Sequence, residues 1–271
     1  MKYDEKLDFL INTLISESKQ YQNIDINKFE DKRVLLRSLM NARLPKSISK
    51  EFLDVQNDFL RDEVINKGVV KLNDIKTIKE EFNSKNEFAS KISIWQGDIT
   101  RLQVGAIVNA ANSQMLGCFI PCHKCIDNAI HSVAGVQLRE VCNEYMQQKR
   151  VYNGDYVEST GSAMLTKAFN LPSEYVLHTV GPIVGNKLND SLRQHLKNCY
   201  KSCLTLALEK GIKSIAFCCI STGEFRFPNE EAAKIAFEAV KGFMKQNGEN
   251  FDRIIFNVFK DVDYDIYKNL L

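Results

Sequence analysis

Apolar positions in the first part of the chain recur with a helical period. Leu7, Leu10, Ile11, Leu14 and Ile15 define one face, Val34, Leu35, Leu39 and Met40 a second, and Phe52, Val55, Phe59 and Leu60 a third. Ser49 stands where it would cap the third helix. The stretch VVKLNDIKTIKEEFNSKNEFASK (69–91) is charged and weakly periodic, and reads as a connection. From Lys91 short apolar runs alternate with helical stretches. Strands are expected at Ile92–Gln96, Ala106–Ala110, Gly161–Thr166, Tyr175–Val180, Ser214–Ile220 and Arg253–Val258. Helices are expected over Ile126–Gln148, from a cap at Asp190 to Gly211, from a cap at Asn229 to near Gly248, and at the C-terminus.

This alternation implies an α/β layered domain with a mostly parallel sheet. The division expected is a helical N-terminal extension over 1–88 and an α/β domain over 89–271. In such sheets ligands bind beyond the carboxyl ends of strands. Asp98, Asn112, a Cys/His-rich loop and Ser221-Thr222-Gly223 all fall at those ends. The extension has no His, no Cys and no Gly-rich loop, so it reads either as a packing cap or as a lid or partner-recognition element.

Composition narrows the function classes. A net charge of +2 gives no field that argues for nucleic acid. No run of 18 apolar residues exists, so no membrane-spanning helix is expected. The N-terminus MKYDEKLDFLINTLI carries early acids and lacks a small-residue cleavage site, a poor signal peptide, so a cytoplasmic location is expected. In that setting eight cysteines point to metal binding or catalysis more than to disulfides. Cys142, Cys199, Cys203, Cys218 and Cys219 lie in apolar helical or strand-like runs and read as core residues.

The remaining three cysteines fall in GCFIPCHKCIDNAIH (117–131), together with two histidines and a carboxylate. Cys118, His123 and Cys125 offer two thiolates and an imidazole, a donor set suited to zinc with a fourth position open. The spacing alone also fits a loop with incidental cysteines. Cys122 could close the site as a fourth ligand, but beside His123 that needs an awkward loop geometry. Asp127 follows at the start of a helix, where a carboxylate can cap the helix or move a proton. His131 lies one turn further and reads as a packing or hydrogen-bonding histidine, and His178 and His195 as structural. The small residues of Ser221-Thr222-Gly223-Glu224-Phe225 would let backbone N–H groups approach a diphosphate, although a short strand-to-helix loop explains the same composition.

Taken in order, GDIT (97–100), AIVNAAN (106–112), DNAIHSVAG (127–135), TGSAMLTKAFNLPSEYVLHTVGP (160–182) and ISTGEFRFP (220–228) resemble a macrodomain, the ADP-ribose-binding α/β module. The likeness covers about residues 90–265. With GCFIPCHKC in place of a Gly-rich loop, the chain resembles the zinc-containing microbial branch, protein-ADP-ribose hydrolases with an N-terminal helical extension. The resemblance implies a three-layer α/β/α sandwich with a mixed, mostly parallel sheet. It implies Zn2+ on Cys118, His123 and Cys125, hydrolytic roles for Asp127 and Asn112, and adenine recognition at Asp98 and Ile99. It also implies diphosphate and ribose contacts from Ser221, Thr222, Gly223, Glu224 and Phe225, and adenine stacking on Phe259, whose other reading is a core aromatic. Asn109 reads as structural. Arg226 stands where the family usually has Gly, and Gly105 where Asp is common. The activity implied is removal of mono-ADP-ribose from modified protein side chains. The expected partner is an ADP-ribosylated protein, in this branch a lipoyl-carrier protein modified by a sirtuin-type transferase. An ADP-ribose reader without turnover, an O-acetyl-ADP-ribose deacetylase and a purely structural zinc module are the alternatives.

Overall fold

The computed structural model describes residues 1–21 and 23–271. Helices α1 (Tyr3–Ser16), α2 (Lys32–Ala42) and α3 (Lys50–Lys67) come first. They are followed by β1 (Val70–Lys71), α4 (Ile78–Phe82), β2 (Ile92–Gln96), β3 (Leu102–Gln103), β4 (Ala106–Ala111), α5 (Ile126–Ala134) and α6 (Val136–Asn153). The chain ends with β5 (Ala163–Lys167), β6 (Tyr175–Val180), α7 (Asp190–Glu209), β7 (Ser214–Phe217), α8 (Asn229–Asn247), β8 (Arg253–Val258) and α9 (Asp261–Lys268).

Six strands form one sheet in the order β2-β8-β7-β4-β6-β5, parallel except where β5 runs against β6. Helices flank it to give the three-layer α/β/α sandwich. β4 lies in the interior, pairing Ala106 with Tyr175 on one side and Ile215 on the other. That position explains its nearly continuous apolar run, since a parallel strand covered on both faces has no solvent side. The carboxyl ends of β2, β4, β7 and β8 therefore open on one rim of the sheet.

Two hydrophobic clusters hold the molecule. The smaller joins α1, α2 and α3 through Leu10, Ile11, Leu36, Phe52 and Phe59, and takes in Val136 from α6. The larger surrounds the sheet. Residues 69–91 are more than a connection, because Ile75, Ile78 and Ala89 are buried in the larger cluster and β1 pairs with β3. Among the described residues no helix is long and apolar enough to cross a membrane.

Several local expectations change in the fold. Ser49 caps α3 as expected, its Oγ accepting from the Phe52 amide at 3.2 Å. The single helix expected over 126–148 is two, broken at Gly135, whose φ is +98°. A side chain there would meet Gln56 Nε2 at 2.6 Å. Gln56 occupies that space because its Oε1 accepts the Val136 amide, an orphan of the first turn of α6. Helix α7 is capped by Asn189 rather than Asp190, because the Asn189 carboxamide reaches the Leu192 amide at 3.0 Å. Asn229 is the first residue of α8 and not its cap; its side chain turns to Asp263 instead. Strand β7 ends at Phe217, leaving Cys218-Cys219 to start the rim loop. Cys142, Cys199, Cys203 and Cys218 are buried, and Cys219 packs on the core with part of its surface open.

Gly135→Ala should cost about 1–3 kcal/mol, the usual range for a side chain forced into a positive-φ position. Urea unfolding would register it as a lowered midpoint at unchanged slope.

Candidate functional site

Asp127 is the charged centre of the rim. It lies in the first turn of α5 and is almost fully buried. Cys125, not Asp127, occupies the cap position, with its Sγ accepting from the Asn128 amide at 3.4 Å. The carboxylate is held by amides from β4 and its end: Asn109 Nδ2 donates to Oδ1 at 2.8 Å and Asn112 Nδ2 to Oδ2 at 3.3 Å. Burial pushes the Asp127 pKa up to about 6, against the opposing pull of those two amides and Arg139.

Asn109 does more than fill a strand end. Its Nδ2 also donates to His178 Nδ1 at 3.1 Å, and His178 Nε2 meets Thr166 Oγ1 at 3.0 Å. The network assigns the tautomer: Nδ1 accepts, so the neutral ring carries its proton on Nε2. Burial holds the His178 pKa down at about 3. A chain of polar groups thus runs from Thr166 on β5 through His178 on β6 and Asn109 on β4 to Asp127. Sequence reading left Asn109 and His178 as structural residues. The register sets Asn109 directly beside His178, a pairing that neither residue's local sequence carries.

His131 packs beside this chain, its Nε2 3.5 Å from Asp127 Oδ1, with neither ring nitrogen hydrogen-bonded. Desolvation keeps it neutral. Gly117 lies against the ring: a Cβ there would stand 2.8 Å from His131 Cγ, and the residue has φ +77°. The Cys/His loop can start only with glycine at this place.

The loop then brings its ligand atoms together. One donor atom each from Cys118, His123 and Cys125 lies within 4.8 Å of the others, all half-buried. Cys125 is pushed up to about 12 by burial and then by the Cys118 thiol beside it. A divalent cation held there would favour the Cys125 thiolate. The buried, unpartnered Nδ1 of His123 adds an orphaned donor or acceptor to the cluster. These residues fit a metal ion. Cys122 stays outside the group: with φ +52°, it turns its Sγ towards Ser38 Oγ, 3.2 Å away on α2, and the Val34 carbonyl.

The loop after β7 closes the other side. His123 Nε2 lies 3.7 Å from Glu224 Oε1, so the Cys/His loop and the Ser221–Phe225 loop meet. Gly223 is exposed with open space around it, and Thr222 and Phe225 are half-buried. The loop is pinned by Phe227 N donating to Ser221 O and by Val184 N donating to Phe225 O. Arg226 adopts φ +57°, a conformation that suits glycine, and its side chain is exposed. Gly181 is needed for close approach, because a Cβ there would fall 2.1 Å from Ser221 Oγ. Ser221 is buried, with its hydroxyl set against Gly181.

At the far end of the rim, Asp98 Oδ1 accepts from the Thr100 amide at 3.0 Å and the Thr100 hydroxyl at 2.7 Å. Among the described residues its Oδ2 accepts no hydrogen bond and remains for a ligand. The Ile99 side chain is in the core, which leaves only its main chain to meet one. Phe259 is 74% exposed just after β8, so it is not a core aromatic. Gly97 N donates to Val258 O at 2.9 Å, which fixes the Asp98 turn beside the Phe259 turn.

The chain was compared with known proteins. A family profile described as Macro domain matches residues 108–236. A protein-ADP-ribose hydrolase of Treponema medium is 47% identical over 272 residues, covering 100% of both chains. A protein-ADP-ribose hydrolase of Staphylococcus aureus (strain MRSA252) is 42% identical, over 97% of this chain and 94% of its own. Among solved structures, a Trypanosoma brucei macrodomain in complex with ADP-ribose is 30% identical at a TM-score of 0.65, covering 86% of this chain and 94% of that one.

Folding keeps His178 neutral, so protons favour the unfolded chain. The stability tied to His178 is intact above its unfolded pKa of about 6.5. It is lost as pH falls from there towards about 3. His178→Gln, which keeps an amide between Thr166 and Asn109, should flatten the acid limb of stability by about 1.4 kcal/mol per pH unit. Urea titrations at pH 7, 6 and 5 on both proteins would measure the difference; parallel limbs would contradict it.

Proposed function

The chain belongs to the Macro domain family, and on that premise we propose that it hydrolyses mono-ADP-ribose from modified protein side chains with the help of a zinc ion. The observation that carries this reading is a buried, amide-held carboxylate, Asp127, on the same rim as a three-ligand metal loop. The full-length likeness to protein-ADP-ribose hydrolases supports it.

ADP-ribose would lie along the rim from β2 and β8 to β4. Adenine would stack on Phe259, with its exocyclic amine donating to Asp98 Oδ2. The diphosphate would take backbone N–H groups of Thr222–Phe225, where Gly223 leaves room for close approach. The distal ribose would then reach Asn112 and Asp127. This remote binding energy fixes the anomeric carbon against the reacting groups.

The bond broken joins that carbon to the side-chain oxygen of the modified protein. As it breaks, positive charge grows on the ribose and negative charge on the departing oxygen. The Asp127 carboxylate would accept a proton from water as the water oxygen bonds to the anomeric carbon. Asn109 and Asn112 hold the carboxylate's two oxygens in one plane while this happens. Cys118, His123 and Cys125 would hold the zinc, which supplies a Lewis acid able to acidify a water or polarise a ribose hydroxyl. The resemblance adds a lipoyl-carrier protein modified by a sirtuin-type transferase as the first natural substrate to try.

Release of ADP-ribose from a protein mono-ADP-ribosylated on a carboxylate tests the reading. Asp127→Ala should lose at least about 100-fold in turnover, the scale of a positioned proton acceptor, with ADP-ribose affinity kept. Chelator treatment should also suppress turnover, and zinc should restore it. Tight ADP-ribose binding with no wild-type turnover would make the protein a reader instead. Phe259→Ala should weaken ADP-ribose by roughly 5- to 150-fold in calorimetry, as expected for loss of base stacking worth about 1–3 kcal/mol.

A further inference from the structure

The Cys/His loop has little backbone bonding of its own. Within 117–125 the hydrogen bond internal to the loop is His123 N to Ile120 O at 3.2 Å. Its other fixed points come from side chains, and helix α2 of the N-terminal bundle supplies a large part of them. Arg37 Nη2 donates to the His123 carbonyl at 3.2 Å and, at 2.7 Å, to Asn128 Oδ1. Asn128 in turn donates from Nδ2 to the Ile120 carbonyl at 2.9 Å. Asn41 Oδ1 accepts the Cys122 amide at 2.9 Å, and Asn41 Nδ2 donates to Ser132 on α5. Ser38 touches Cys122 Sγ between them.

A second tie comes from the other direction. Arg139 on α6 is buried and lies over the Phe119 ring at 4.2 Å. Its guanidinium donates to the Leu116 and Cys118 carbonyls at the start of the loop. It also donates to the Met40 and Asn41 carbonyls and to Arg43 O, which are orphan acceptors at the end of α2. One buried cation therefore joins the end of α2 to the residue that begins the ligand set.

We propose that α2 is a positioning element for the metal-ligand loop, with Arg37 and Asn41 holding the Cys122–His123 backbone so that the His123 ring meets the two thiols. This rests on the zinc reading given above. Cys122 gains a role in the same contact, since its side chain faces α2 and leaves the three ligands to its neighbours. Residues that orient ligands in this way typically change metal affinity by roughly 10- to 100-fold when removed. Helix α2 is thus part of the ligand loop's support.

The test uses the full chain with Arg37→Ala, Arg37→Lys and, as a matched control, Arg33→Ala. Arg33 also lies on α2 but pairs with Glu63 of α3 at 2.7 Å, away from the loop. Zinc affinity is read by competition with a chromophoric chelator, and amide hydrogen exchange is followed over residues 117–125. Arg37→Ala should lose about tenfold or more in zinc affinity and speed exchange in the loop. Arg37→Lys, which keeps charge but not the fork, should fall between. Arg33→Ala should lower the unfolding midpoint with zinc affinity and loop exchange unchanged. Equal zinc affinity and equal loop exchange in Arg37→Ala and wild type would overturn the proposal, as would an Arg33→Ala defect of the same size. Should the wild type bind no zinc, the zinc reading fails by itself and the exchange comparison still decides the positioning role. If Arg37→Ala does not fold, Arg37→Lys against Arg33→Ala gives the same comparison.

Discussion

A carboxylate taken out of water must be met by donors, or it will not stay charged. Asp127 sets that requirement at the edge of a sheet, and much of the surrounding structure answers it. Asn109 and Asn112 donate to its two oxygens, His178 accepts from Asn109, and Thr166 completes the chain. Three neighbouring strands thus contribute one residue each to this polar chain, beside buried apolar neighbours such as Ile107, Val176 and Met164. The donors oppose the burial that raises the carboxyl pKa, and the result is a base poised near neutrality. The same crowding leaves His131 neutral and forces glycine at 117.

The second constraint is the seam between the helical bundle and the sheet domain. Its apolar part runs both ways: Val136 of the sheet domain joins the bundle's buried cluster, and Val64 of α3 joins the cluster around the sheet. The rest is polar and buried, with Arg139, Asn41, Gln56 and Asn128 satisfying carbonyls and amides left over at helix ends and in the Cys/His loop. Such a network fixes geometry more tightly than an apolar contact, because a displacement leaves buried donors unpaired. Helix α2 is tied at several points to the Cys/His loop and to α5.

The order of strands and helices was legible because each element carries its own period, and the rim because ligand sites in parallel sheets follow the strand ends. Asp98, Asn112, Asp127 and the loop after β7 converge there for that reason. The three-ligand group was legible as spacing, but the loop's path was not. Cys122 is one residue from His123 and differs from it only in direction, which a positive φ and a partner on α2 set. Phe259 could have been core or surface from its sequence; its place beyond the last residue of β8 decides it. Arg226 keeps the backbone conformation of the usual glycine, which composition cannot reveal.

By itself the sequence determined what is local and periodic: which segments are helix or strand, that the sheet is mostly parallel, and which residue types could bind metal or move a proton. Tertiary structure decided what depends on distant pairing. It joined Asn109 to His178 through strand register, brought Asp127 of α5 onto the same amide, broke one helix into two where Gln56 needs room beside Gly135, and set Arg37 and Asn41 against a loop more than eighty residues away in the chain. Hydrophobic period reports the side a residue faces. It carries no information on which buried polar group will be waiting there, and at this site those partners are the chemistry.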